Sequence, residues 1–284
     1  MIKTELIENI VESINMKGYD CFSNEVNKNG VIYQGIVFKQ ESGINPTLYL
    51  NNMTIDDTTE VEEIVMQILQ RYEEFKMQEA KPDFSRLLSC FEKGQPLDEE
   101  YFLSHVILCA RKKGIDDKVR VHAIRNTDLV SYVRIAECDT NGFSSVALTL
   151  EQIRTLESKG LSETKIFNTA KKNMRNRMVL KDVSEVLGLP TDFGTRLYVL
   201  RPQDQMFGAG YFADSVSLRK VCKELNTEEI VILPSSIHEL LVFIRKEGED
   251  LEPYNDMIRE INSSEVDPTE VLSDHYYTFS LTKK

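Results

Sequence analysis

The stretch that decides the fold of the first part of the chain runs from Tyr19 to Gln40 and reads YDCFSNEVNKNGVIYQGIVFKQ. At its centre lies Asn29-Gly30, and both residue types readily adopt the positive φ angles that a tight two-residue hairpin turn requires. The flanks are rich in Val, Ile, Tyr and Phe, which favour strands. The stretch therefore predicts a β-hairpin that turns at Asn29-Gly30.

Helical and strand patterns continue outward from this hairpin. A third strand is predicted in PTLYLN, introduced by Pro46. Apolar residues recur at helical spacing on both sides of the three strands, which predicts a helix before them and a long helix after them: Leu6, Ile7, Ile10, Val11 and Ile14 in the first helix, and Val61, Ile64, Val65, Ile68, Leu69 and Tyr72 in the second. Residues 1–80 are thus predicted to form a helix–three-stranded meander–helix unit, which Lys81-Pro82-Asp83 separates from the rest.

Residues 81–284 are predicted to form a larger mixed region with antiparallel strand pairs. The segment 97–114, LDEEYFLSHVILCARKKG, is predicted as one helix because acids begin it and Arg and Lys end it, which matches the helix dipole. Strand patterns follow in 119–124, 129–138 and 143–150, and the last two are joined by a second hairpin signal, Asp139-Thr140-Asn141-Gly142.

In the last third, two predicted strand pairs are each followed by a predicted helix. The first pair is RLYVLR (196–201) with MFGAGYF (206–212), and the second is EIVILP (229–234) with ELLVFIRK (239–246). This recurrence predicts an internal strand–strand–helix pseudo-symmetry. The fold class predicted for the whole chain is α+β.

Charge argues against nucleic acid as a partner. The 284 residues include 46 Asp and Glu against 34 Lys and Arg, and the formal net charge is −12. Such a chain repels the phosphate backbone on average. The segment AKKNMRNRM is a local exception, with Lys171, Lys172, Arg175 and Arg177. It has two interpretations, a solvated helix end or a phosphate-binding patch.

The cysteines and the apolar runs predict a cytoplasmic protein. The five cysteines are widely scattered and never form C-x-x-C, which is typical of reduced, buried thiols rather than of disulfides or a zinc site. No apolar run reaches the ~18 residues of a membrane span, and the first residues do not resemble a signal peptide. Gly208-Ala209-Gly210 lacks the third glycine of a dinucleotide fingerprint, so no cofactor is predicted.

The stretch VILPSSIHEL, residues 231–240, holds the candidate functional residues Ser235, Ser236, His238 and Glu239. A hydrolase could use His238 with Ser235 or Ser236. Neither serine, however, has the flanking glycines of a nucleophile elbow, and a strand-like run follows instead of a helix. We therefore assign no catalytic residue and predict a strand-connecting turn begun by Pro234. A metal site is not predicted, because His238 and Asp274-His275 would meet only if their two strands meet.

Several stretches together resemble a known family. They are GVIYQGIVFKQESGINPTLYLN, LYVLRPQDQMFGAGYF, ILPSSIHELLVF and MIREINSSEVDPTEVLSDHYYTFS. Across nearly the whole chain, they are similar to uncharacterised proteins of clostridial gut bacteria that form a domain-of-unknown-function family. A more distant similarity is to an uncharacterised bacillar family with the same order of elements. Neither resemblance implies a catalytic activity, but the resemblance to the clostridial family includes the Pro234–Glu239 turn, which implies a family feature of unknown purpose.

The order of elements is similar to that of small chaperone-like modules that bind secretion substrates, which is an analogy of fold alone. We expect a cytosolic, non-enzymatic interaction protein that holds a protein or peptide segment on a sheet or helix face. The alternative is the hydrolase with His238 and Ser235 or Ser236. A mobile-element protein that acts against a host system is a third possibility, which no residue tests. The sequence does not indicate an oligomeric state.

Overall fold

The structure is a computed structural model that describes residues 4–39, 45–53, 55, 59–77, 85–92, 94–115, 118–139, 142–188 and 196–282. The chain divides into two compact units, Met1–Lys81 and Pro82–Lys284. Lys81-Pro82-Asp83, where the sequence predicts the break, lies outside the described residues. Both units combine helices with antiparallel strands, which confirms the α+β class.

The first unit has the predicted helix followed by a three-stranded antiparallel sheet of order β1-β2-β3. Its elements are α1 (Thr4–Met16), β1 (Cys21–Lys28), β2 (Val31–Phe38), β3 (Thr47–Tyr49), a short 3-10 helix (Leu50–Asn52) and α2 (Val61–Met77). The two helical stripes and one face of the sheet share a core in which the Phe38 and Tyr72 rings stack at 3.9 Å. Burial of these apolar stripes holds the unit together.

The hairpin at Asn29-Gly30 is confirmed. Lys28 lies opposite Val31 in the ladder, so Asn29 and Gly30 form a two-residue turn. Their φ angles are 51° and 92°, in the region that suits Asn and Gly. The Gly30 N–H donates to the Asn27 side chain at 2.8 Å, which fixes the turn further.

The second unit contains two antiparallel sheets and seven helices among the described residues. In the four-stranded sheet, β6 pairs with β4, β5 and β7, and the five-stranded sheet has the order β12-β10-β11-β9-β8. The strands are β4 (Val106–Lys112), β5 (Val121–Ala123), β6 (Leu129–Asp139), β7 (Gly142–Ala147), β8 (Met178–Asp182), β9 (Leu197–Pro202), β10 (Glu229–Leu233), β11 (Leu240–Phe243) and β12 (Tyr277–Ser280). The helices are α3 (Ser85–Ser89), α4 (Glu99–Ser104), α5 (Leu150–Ser158), α6 (Glu163–Asn176), α7 (Val183–Leu187), α8 (Ser215–Glu224) and α9 (Glu252–Ser264).

The second predicted hairpin joins β6 to β7. Asp139 lies opposite Gly142 in the register of the two strands. The intervening Thr140 and Asn141 lie outside the described residues.

The prediction of one helix over 97–114 is wrong. Asp98 caps α4, which ends at Ser104, and the chain then enters strand β4. Every residue from Val106 to Arg111 is buried, because both faces of the strand are covered. A strand buried on both faces lacks the alternating pattern that distinguishes a strand from a helix in a sequence.

The prediction of a strand over 206–212 is also wrong, because Gly208–Ala213 forms a 3-10 helix. This helix crosses β4 so closely that a Cβ atom on Gly210 would lie 2.0 Å from the carbonyl oxygen of Leu108. Strand β9 pairs with β8 and β11 instead. The first of the two strand pairs that suggested pseudo-symmetry is therefore not formed.

The cysteines are free thiols, and four of them are buried. Burial raises the pKa of the Cys109 thiol to about 12 and that of Cys21 to about 11, so neither is a ready nucleophile. Within the described part of the chain, the helices are too short or too polar for any of them to cross a membrane.

Candidate functional site

The Pro234–Glu239 turn connects β10 to β11, as the sequence predicts. Its serines support the turn itself. Ser236 Oγ accepts the His238 N–H at 3.0 Å, and the Ser235 hydroxyl donates to the Glu239 carboxylate at 3.4 Å. The first of these bonds satisfies a backbone N–H that no strand pairs, and the second joins two side chains across the turn.

The turn packs against the segment that leads into the 3-10 helix. The Gly208 N–H donates to the His238 carbonyl at 2.7 Å, and the Ala209 N–H donates to the Ile237 carbonyl at 3.2 Å. A Cβ atom on Gly208 would lie 2.4 Å from that His238 oxygen. Phe207 enters this contact with φ at 61°, a left-handed value that is rare for an aromatic residue.

Neither nitrogen of the His238 ring hydrogen-bonds a serine hydroxyl. Nδ1 accepts the backbone N–H of Phe207 at 3.2 Å, and Nε2 lies 3.4 Å from a carboxylate oxygen of Glu270. A general base must lie within hydrogen-bond reach of its nucleophile. The structure brings Ser235, Ser236, His238 and Glu239 into one turn, but it does not join a serine hydroxyl to the imidazole.

A second group of side chains, which the sequence did not predict, brings a serine, a histidine and an aspartate into successive contact in space. Ser273 Oγ lies 3.2 Å from His275 Nδ1, whose Nε2 lies 3.5 Å from Asp128. Ser273 is fully buried, and its oxygen lies 2.8 Å from the Tyr277 hydroxyl. Tyr277 also donates to Asp128. A nucleophile sealed from solvent cannot reach a substrate, so this group anchors the β5–β6 turn to the segment before β12.

Burial raises the pKa of Tyr277 well above its ordinary value, and the hydrogen bond to Asp128 raises it further. The phenol therefore stays protonated and keeps donating at neutral pH. In the described part of the chain, no group of three or more His, Cys, Asp or Glu side chains is placed to hold a metal ion.

A concavity of the second unit lies between the edge strands β5 and β12, and we call it the β5–β12 cleft. Its volume is about 580 Å³, within the roughly 300–1,000 Å³ of known ligand sites. Apolar side chains line part of it, namely Phe167, Phe212, Leu218, Ile232 and Phe279. Thr278 and Ser280 of β12 also line it.

The charges in the β5–β12 cleft are all of one sign. Arg125 of the β5–β6 turn, Lys171 of α6 and Arg219 of α8 line it, and no Asp or Glu is among the described lining residues. None of the three cations forms an ion pair with any described residue. A chain with 46 acidic residues thus surrounds one cleft with unpaired positive charge.

His122 also lines the cleft, and it contacts an acidic side chain outside the lining. Its Nε2 contacts the Glu163 carboxylate, and its ring stacks on Phe167 at 4.0 Å. Burial raises the pKa of Glu163, but hydrogen bonds from Arg120 and His122 and their charges outweigh burial and leave the pKa below its ordinary value. Glu163 therefore stays ionised and holds the imidazole against the cleft wall.

The basic residues of the AKKNMRNRM segment have two different roles. Arg175 forms two hydrogen bonds of 2.6 and 2.7 Å to Asp214, and Arg177 pairs with Asp204. Of the four cations in AKKNMRNRM, only Lys171 lines the cleft. Arg175 and Arg177 therefore have a structural role at the helix end, and only Lys171 remains a candidate for binding an anion such as phosphate.

Asp214 positions α8, which carries Arg219. Its side chain caps the helix by accepting from the N–H and hydroxyl of Ser217. Burial raises the pKa of Asp214, but the bonds from Arg175 and Ser217 outweigh burial and leave the pKa below its ordinary value. The buried carboxylate therefore stays ionised and keeps the first turn of α8 at the cleft.

Comparison with known proteins identifies a family for this chain. No curated protein and no solved structure matches the chain. A family model described as a family of unknown function, DUF5688, matches residues 2–281. Because that match spans nearly the whole length, the chain belongs to the DUF5688 family of unknown function.

Proposed function

We propose that this protein is a cytosolic, non-enzymatic binding protein that holds an acidic segment of a partner protein or peptide in the β5–β12 cleft. One observation carries the proposal: in a chain of net charge −12, the described lining of this cleft includes Arg125, Lys171 and Arg219 and no acidic side chain. Clustering unpaired like charges costs free energy, which an anionic partner would recover.

The remaining lining suits a peptide. Apolar rings and aliphatic side chains offer surface for the non-charged residues of a segment, and the hydroxyls of Ser215, Thr278 and Ser280 offer hydrogen bonds. Binding sites typically combine such an apolar surface with a few placed polar groups. Opposite charge at the rim contributes chiefly to specificity and to the rate of association.

The binding test uses a display library of random heptapeptides, selected on the full chain. We expect the selected peptides to be enriched in Asp and Glu. Arg219→Glu should weaken them about tenfold, which corresponds to ~1.4 kcal/mol, because it replaces an attraction by a repulsion. Lys171→Glu should act in the same direction.

Matched controls come from the neighbouring residues. Lys220 lies beside Arg219 on α8, and Lys172 lies beside Lys171 on α6, but neither lines the cleft. Lys220→Glu and Lys172→Glu make the same change of net charge and should leave binding within about twofold of wild type, since exposed charges at a distance are screened by salt. Peptides without acidic enrichment, or an equal loss in the controls, would overturn the proposal.

A further inference from the structure

We infer that the bound segment is extended and adds to the five-stranded sheet as a new strand beside β12. This inference rests on the proposed function and names how the partner binds. Strand β12 is the end member of the sheet order β12-β10-β11-β9-β8. All four of its residues, Tyr277–Ser280, line the β5–β12 cleft, and among the described strands β12 pairs with β10 alone, so the other edge of β12 borders the cleft.

The ladder shows which backbone groups are available on that edge. The Leu281 N–H donates to the Glu228 carbonyl at 2.9 Å, which makes these two residues a hydrogen-bonded pair. Because such pairs alternate in an antiparallel ladder, Phe279 and Tyr277 also direct their backbone groups at β10. The N–H and C=O of Thr278 and Ser280 therefore point away from β10, toward the cleft.

The two ends of the sheet differ in their protection. The other edge strand, β8, carries Lys181 and Asp182 and runs directly into α7. Charged residues of this kind on an edge strand discourage pairing with another chain. Strand β12 reads YTFS and contains no charged residue and no proline. An edge without such protection, inside a cleft of opposite charge to the proposed partner, is suited to accepting a strand.

Strand addition also explains how acidic side chains would meet the cationic wall. Successive side chains of an extended segment point to opposite faces. Acidic residues at every second position would then lie on one face of the segment, and that face can meet the cleft lining, in which Arg125, Lys171 and Arg219 occur together with Phe212 and Phe279. We expect the selected heptapeptides to alternate in this way.

The decisive experiment scans one selected acidic heptapeptide by N-methylation of each backbone nitrogen in turn. N-methylation removes a donor and adds bulk, so it should weaken binding at least tenfold at alternate positions, where the N–H faces β12, and by less than about threefold at the positions between them. If N-methylation is tolerated throughout while Arg219→Glu still weakens the peptide, strand pairing is wrong and the cleft remains the site. If Arg219→Glu also has no effect, both proposals fall.

A change in the protein gives an independent result. Thr278→Pro removes an outward N–H without removing a donor of the β10 ladder, and edge strands tolerate proline at such positions. We expect at least tenfold weaker binding. Thr278→Val loses the same hydroxyl but keeps the N–H, so it should bind several-fold more tightly than Thr278→Pro, and equal losses in the two variants would assign the effect to the hydroxyl. Binding of Thr278→Pro equal to wild type would overturn the inference. Should circular dichroism show that this variant is unfolded, the peptide scan decides alone.

Discussion

The packing of the Pro234–Glu239 turn on Gly208 leads to a sharp prediction about Gly208→Ala. The new Cβ atom would lie 2.4 Å from the His238 carbonyl oxygen, 3.0 Å from Pro202 Cδ and 3.1 Å from Arg201 Cα. Two of these neighbours are backbone atoms and the third belongs to a proline ring. None of them can move away by a simple side-chain rotation, so the backbone must shift.

The size of the shift gives the expected loss of stability. Ordinary contacts of this kind are ~3.5 Å, so the turn must withdraw by about 1 Å. That withdrawal breaks the bonds that Gly208 and Ala209 donate to the turn, now 2.7 and 3.2 Å long. A buried donor left without a partner costs ~1–3 kcal/mol. We expect the free energy of unfolding of the second unit to fall by about 3 kcal/mol.

Urea unfolding followed by circular dichroism measures this loss, with Gly248→Ala as control. Gly248 has a φ angle of 73° and no atom within 4 Å of its hypothetical Cβ, so alanine there adds only backbone strain of ~1–2 kcal/mol. Amide exchange at Ala209 should also become about a hundredfold faster in Gly208→Ala, the factor that corresponds to ~3 kcal/mol. If Gly208→Ala is as stable as Gly248→Ala, the turn does not pack against Gly208 as described.

Three further results are expected. Ser235→Ala and Ser236→Ala should each lower the free energy of unfolding by only about 1 kcal/mol, and a fluorophosphonate probe should label neither serine; labelling would favour the hydrolase. Gly30→Val should cost at least ~1–2 kcal/mol in urea melts, because φ is 92° there, and a variant as stable as wild type would place the turn elsewhere. Folding lowers the pKa of the Asp214 carboxyl, so this group stabilises the fold at a pH above its unfolded pKa of 3.8, and that stabilisation is lost as the pH falls through its folded pKa. The difference in free energy of unfolding between wild type and Asp214→Asn should therefore shrink as the pH drops below 3.8, and it should not shrink as the pH rises.

Local patterns predicted the fold where one face of an element is exposed. The stripe of α1 and the Asn29-Gly30 turn are such features, since a single window of sequence contains both the pattern and its cause. Strand β4 was missed because it is buried on both faces and follows a genuine helix start at Asp98. The 3-10 helix at Gly208–Ala213 was missed because its cause is the distant backbone of Leu108.

The candidate site was harder to predict than the fold. The Pro234–Glu239 turn could be found because its residues are contiguous. The β5–β12 cleft draws Arg125, Lys171 and Arg219 from three separate elements, and no short window contains two of them. The basic segment around Lys171 was the one signal available, and its neighbours Arg175 and Arg177 proved to serve ion pairs.

The link between Tyr277 and Asp128 has a consequence for the order in which the second unit folds. These residues are 149 positions apart, and their hydrogen bond connects the two strand edges between which the β5–β12 cleft lies. Contacts between such distant residues form slowly, because the long intervening chain must first be ordered. Because synthesis proceeds at roughly 5–20 residues per second, β12 is synthesised many seconds after β5. The β5–β12 cleft therefore forms only after translation has passed Ser280, so a partner that binds there would not bind a nascent chain that is shorter than this.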